Sequence, residues 1–205
     1  MKFKSILKNH KEFEQSIEDI IQYVLDKIIV DLSSDKIVAK ERNVLLEAFI
    51  LKLCALWESF LEKEIILSAS LDLKNLIETM ELNKNKRLDI KLIRAILFSD
   101  TFRGFQDVNR LIDFTKRVIV EKYNPFLKIT KEQKSKIHFT YAIRNYLSHY
   151  SSFSKKKLFS DYRRVFGYKN FLEPSKFLAK NKGKHFENLA NNFKMVSVYM
   201  RKIFT

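Results

Sequence analysis

Apolar residues return at helical intervals along most of this chain. Phe13, Ile17, Ile20, Val24 and Ile28 recur every three or four positions and predict a helix from about Lys11 to Leu32. "SSDK", Ser33 to Lys36, interrupts it. From about Ile37 to Ser68 the apolar arc widens to take in Leu45, Phe49, Leu53, Leu56, Trp57, Phe60 and Leu61, the pattern of a central core helix. Ala48, Ala55 and Ser59 form a small-residue strip on it, suited to the close approach of a neighbouring helix. Two short helices follow, Leu71 to Met80 and Asp89 to Phe98, around the polar loop "NKNKR", Asn83 to Arg87. A longer one, about Phe105 to Lys122, turns Phe105, Val108, Leu111, Ile112 and Ile119 inward and stops ahead of Pro125. Thr130 followed by Gln133 is a capping box, so the next helix begins at Lys131. The periodicity dissolves from Ser151 to Lys184. It returns from His185 to Phe204, with Phe186, Leu189, Phe193, Val196, Met200 and Ile203 inward.

Helix breakers are scarce. The 205 residues include only 3 Gly and 2 Pro, and all five fall where the periodicity lapses. With 46% hydrophobic residues the chain can bury a core. We therefore expect an all-α bundle of about five to seven helices in one domain, residues 1–205, with an irregular basic elaboration at 151–184 before the last helix.

Charge changes the picture. The net formal charge of +15 attracts phosphate polymers and acidic partners. The segment Ser151 to Lys184 holds only Asp161 and Glu173 as acids, while Phe153, Phe159, Tyr162, Phe166, Tyr168, Phe171 and Phe177 are interleaved with basic residues. Two readings stand side by side: an RNA-binding surface working by stacking and charge, or a folded cover whose aromatics are core. Lys155, Lys156, Lys157, Arg163 and Arg164 are the candidate phosphate contacts in either case. The one cysteine, Cys54, lies among apolar residues and reads as core. Neither a disulfide within the chain nor a cysteine-based zinc site is available. The N-terminal residues lack a signal-peptide apolar core, and Glu47 and Lys52 break the longest apolar stretch. The expectation is a cytoplasmic protein without a membrane segment.

No glycine-rich phosphate loop and no G-x-S-x-G elbow occurs. His138 and His149 share a strip of one helix but lie about 16 Å apart along its axis, too far to share a metal. No cofactor is expected. What remains is "RNYLSH", Arg144 to His149. With Arg144 as the zero of a helical wheel, Ser148, Asn145 and His149 fall at about 40°, 100° and 140°. Phe139, Ile143, Tyr146, Leu147 and Tyr150 make the opposite, apolar stripe. Metal-free RNA cleavage needs a base for the ribose 2′-hydroxyl, a cation for the phosphate and a proton for the departing 5′-oxygen. Histidine suits the proton work, and arginine's planar fork suits the phosphate. An amide such as Asn145 can orient either. A plain polar helix end satisfies the same spacing, and so does chance in so basic a chain. Glu47 and Glu58, eleven apart on the core helix, are either the polar edge of that helix or carboxylates that fix the Arg144 guanidinium.

"RNYLSH" on a late helix of a small all-α chain resembles the R-x4-6-H motif of the HEPN superfamily (higher eukaryotes and prokaryotes nucleotide-binding), which often carries a polar residue directly after the arginine, here Asn145. "ERNVLLEAFILKLCALWESFLEKEI", Glu41 to Ile65, is similar to the long helix that precedes the motif helix in many such proteins. The resemblance covers about Glu41 to Ser152. It implies a HEPN-like bundle that dimerises with both motifs in a shared cleft, and metal-independent endoribonuclease activity, frequently in a toxin or in antiviral defence. On it, Arg144 and His149 are the catalytic pair, with Asn145, Ser148, Tyr150, Glu58 and Glu47 in support and RNA as substrate. It also implies a possible antitoxin or defence-complex partner. Relatives paired with a nucleotidyltransferase antitoxin carry a tyrosine two places after the histidine. Here that place is Ser151 and Tyr150 comes one early, so a tyrosine-modifying antitoxin is not expected. Alternative readings are a non-catalytic RNA- or nucleotide-binding module, or the basic subunit of a defence complex.

Overall fold

The computed structural model describes residues 2–29, 38–83, 88–98 and 104–205. The expected break at Ser33 to Lys36, the junctions at Leu32 and Ile37, and all of the Asn83 to Arg87 loop but Asn83 lie outside them. The described residues form eight α-helices and no strand: α1 Lys2–Tyr23, α2 Ala39–Leu71, α3 Lys74–Thr79, α4 Ile90–Phe98, α5 Val108–Val118, α6 Lys131–His149, α7 Ser152–Phe166 and α8 Pro174–Arg201. The fold is all-α, as the periodicity requires. The chain divides into two compact units.

The first unit comprises residues 1–14, 57–134 and 195–205. Its centre is aromatic: Phe13 stacks on Phe60 with ring centroids 4.4 Å apart, and Trp57 leans on both. Ile6, Leu61, Leu76, Leu111, Phe126 and Val196 are fully buried around them. α1 begins earlier than the apolar pattern predicts because Ile6 is the one apolar residue buried in its first turns, where the other buried residues are the polar Asn9 and His10. α5 is shorter than predicted. Asp107 caps it, its Oδ1 accepting from the Asn109 and Arg110 amides at 3.0 and 3.2 Å, so Phe105 stays in the turn before. Its other end stops where Ile119 turns extended. Two orphaned carbonyls there are taken by α3, as Thr79 donates to Arg117 and Asn75 to Ile119, at 2.6 and 3.1 Å. Glu64, fully buried, accepts from Asn9 and Ser68.

The second unit comprises residues 15–56 and 135–194. Phe139 of α6 meets Tyr162 of α7 and Phe177 of α8 at 5.7 and 5.5 Å, and His185 stacks on Phe177 at 4.4 Å. Most of the segment expected to be irregular is therefore helical. Ser151 caps α7 by accepting from the Ser154 amide, and Gly167 closes it in the left-handed region. Only Ser154, Leu158 and Tyr162 are buried along α7, one side chain per turn, so basic residues drown the periodicity. α8 is interrupted by left-handed or extended residues Lys180 to Gly183, which is why the regular pattern starts near His185. At Gly183, with φ +79°, a Cβ would come within 3.0 Å of Leu25 and 3.1 Å of Ile29. Cys54 is buried as expected. Ala48, Ala55 and Ser59 are exposed, so no neighbouring helix among the described residues covers the small-residue strip.

Candidate functional site

The capping box starts α6 where the sequence places it. The Thr130 Oγ1 accepts from the Gln133 amide at 3.2 Å, and the Gln133 Oε1 accepts from the Thr130 amide at 2.9 Å. From there Ile137, Phe139, Ile143, Tyr146 and Leu147 are buried, leaving Arg144 and Asn145 half-buried and Ser148 and His149 exposed. The Arg144 Nη1 donates to the Asn145 Oδ1 at 3.1 Å. That is its hydrogen bond among the described residues, and it leaves the rest of the guanidinium fork free to meet an anion. His149 closes the helix. Tyr150 then turns left-handed at φ 45°, its amide donating to the Tyr146 carbonyl at 2.7 Å, and Ser151 opens α7. His149 thus stands at the corner between two helices.

Tyr150 does not join the apolar stripe. The left-handed turn takes it out of register, and it is 63% exposed. Its hydroxyl donates to the Glu47 Oε2 at 3.4 Å, and that of Tyr146 to the Glu173 Oε2 at 3.1 Å. Lys155 lies 4.0 Å from the other Glu173 oxygen. The two tyrosine rings are 5.3 Å apart. Burial, the hydrogen bond to Glu173 and its negative charge push the Tyr146 phenol up to about 12. Desolvation and Glu47 raise that of Tyr150 in the same way. Both phenols stay protonated donors. Glu47 therefore serves the residue after His149, through Tyr150, and not the guanidinium of Arg144. Glu58 belongs to the first unit and is half-buried. Glu173 and Phe171, whose ring is 5.4 Å from that of Tyr146, carry no local sequence signal for their part here.

The five basic candidates all lie exposed on α7. Phe153, Lys156, Lys157, Ser160, Arg163 and Arg164 share an arc of about 120° opposite Leu158 and Tyr162. Phe153 is 76% exposed, the rarer state for a phenylalanine. Arg163 lies over the Phe159 ring at 4.2 Å and Arg164 pairs with Asp161 at 2.7 Å. Lys155 sits on the flank, over Phe171 at 4.5 Å. Both readings of the segment meet in this helix: Leu158 and Tyr162 are core, and Phe153 with four cations faces solvent.

No family model, curated protein or solved structure matches this chain. Among the described residues no group of three or more His, Cys, Asp or Glu side chains is placed to hold a metal ion, and no helix is long and apolar enough to cross a membrane.

Proposed function

We propose that the chain is a metal-independent endoribonuclease of the kind its R-x4-6-H motif resembles, acting as a dimer in a toxin or antiviral-defence role. The observation that carries this reading is one helix end. It presents a half-buried arginine steadied by its neighbour's amide and, five residues on, an exposed histidine at a corner. Arg144 holds the scissile phosphate. The ribose 2′-oxygen attacks phosphorus, His149 takes the 2′-hydroxyl proton, and the bond to the 5′-oxygen breaks. The second copy's His149 protonates that oxygen. The products are a 2′,3′-cyclic phosphate and a 5′-hydroxyl. The solvent face of α7 supports single-stranded RNA as substrate, since a base can stack on Phe153 between cations that meet phosphates.

A second copy is supported by α2. Val44, Ala48, Leu51 and Ala55 follow helical spacing within about 60° and are all exposed, with Val44 at 60%. Such a stripe is apolar enough to seek cover. It lies beside Glu47, the acceptor of the Tyr150 hydroxyl, so a copy docked there lies next to the motif helix's end. The test is cleavage of total RNA and tRNA by wild type and His149→Ala in the presence of EDTA, with end-group analysis. Wild type is expected to leave cyclic phosphates, and the variant to lose at least a hundredfold in rate. Undiminished cleavage by His149→Ala, free of contaminating nuclease, would sink the reading. RNA binding without products, equal in both proteins, would leave the binding module.

A further inference from the structure

We infer that the first unit carries a separate site for a small ligand with a run of adjoining phosphates. The site is a concavity of about 600 Å³ between α1 and the end of α8, within the usual size range of small-molecule sites. Its floor is apolar, from Leu7 and Val198. Around it stand Lys4, Lys8, Lys11, Arg201 and Lys202, with Thr205 at the edge and Glu12 as the one lining side-chain carboxylate.

The cations differ in what already holds them. Arg201 pairs with Glu14 at 3.3 Å, and Glu14 accepts from Ser197 at 3.0 Å, whose Oγ lies 2.7 Å from the buried His10 Nδ1. That chain locks α8 to α1 and fixes the wall. Lys8 has only an exposed pair with Glu12 at 3.6 Å, which is cheap to break. Lys202 lies over the Tyr199 ring at 4.5 Å. Lys4 and Lys11 have no anionic partner among the described residues. The lysines that line the concavity are thus largely uncompensated, which favours an anion.

The spacing selects the anion. Lys4, Lys8 and Lys11 follow one face of α1 and span about 10 Å along it. A single carboxylate or phosphate satisfies one or two of them. A chain of two or three phosphates reaches all three. The carbonyls of Met200 and Arg201, the negative end of α8, are taken by the Ile203 and Phe204 amides at 3.3 and 2.9 Å, which blunts their repulsion. The site lies wholly in the first unit and Arg144 and His149 in the second, so it does not rest on the nuclease reading.

The test is calorimetric titration of the full chain with inorganic triphosphate and with ATP, at fixed salt. Three proteins are compared: wild type, Lys4→Ala/Lys8→Ala/Lys11→Ala, and a charge-matched control, Lys63→Ala/Lys91→Ala/Lys128→Ala, whose lysines are exposed elsewhere in the same unit. Wild type and control are expected to bind triphosphate saturably within twofold of each other, and the α1 variant at least tenfold more weakly. ATP much tighter than triphosphate assigns a nucleotide with its base on Leu7 and Val198. Equal affinities assign the phosphate chain alone. Equal weakening of both variants, or no saturable binding by wild type, overturns the inference. So does an oligoribonucleotide that loses affinity in the α1 variant while triphosphate does not bind, which makes the groove an RNA track.

Discussion

The Tyr150 hydroxyl donates to the Glu47 carboxylate at 3.4 Å, joining the residue after His149 to one 103 positions earlier on the core helix. With the Tyr146 to Glu173 bond at 3.1 Å, it ties the end of α6 to two separate parts of the second unit. Two phenols and two carboxylates hold the corner on which the candidate histidine stands.

Alkali acts on this corner. A phenol titrates near 10 in an unfolded chain, whereas that of Tyr146 is held up to about 12 in the fold. The folded state favours its neutral form. Its contribution to stability is complete below about pH 10 and is lost as pH rises from there through about 12. Thermal melts between pH 8 and 11.5 should fall more steeply for wild type than for Tyr146→Phe. Identical slopes would place the pH sensitivity elsewhere.

Asn145 acts on Arg144 alone among the described residues, through its side-chain oxygen. Asn145→Ala removes that acceptor without opening a core cavity, so the melting temperature should change little. On the nuclease reading, cleavage should fall by about ten- to a hundredfold, with RNA affinity within a few-fold of wild type. Asn145→Asp retains the acceptor oxygen and should recover part of the rate. Fragment yields from a single-turnover assay decide it.

The two left-handed glycines make a controlled pair. At Gly167, with φ +68°, a Cβ meets nothing within 4 Å, so Gly167→Ala costs only the backbone conformation, about 1 kcal/mol. At Gly183 the same conformation adds the clash with Leu25 and Ile29. Gly183→Ala should cost about 1–3 kcal/mol more. Urea unfolding of both variants measures the difference, and equal losses would contradict the close approach.

The capping box gives a third stability test. Thr130→Ala strips the acceptor for the Gln133 amide and should cost about 1 kcal/mol in the same assay. Thr130→Ser keeps the oxygen and should cost less.

That capping box was legible because both partners lie three residues apart, and the core helix because its apolar arc is wide. α7 was illegible for the converse reason: Leu158 and Tyr162 supply a stripe one residue wide amid five cations in Lys155 to Arg164. Arg144, Asn145 and His149 share a helix as their spacing required. The acceptor role of Glu47 was missed, because nothing local reveals that Tyr150 leaves helical register and meets a carboxylate 103 residues away. Glu173 was missed likewise, lying 27 residues from Tyr146.

Because Leu158 and Tyr162 pin α7 by its inner edge, Lys156, Arg163 and their neighbours ride on a rod already set in place. A flexible basic tail must surrender its own backbone freedom to grip a polyanion. This helix gave up that freedom on folding, so an incoming strand bears chiefly its own ordering and that of the side-chain tips.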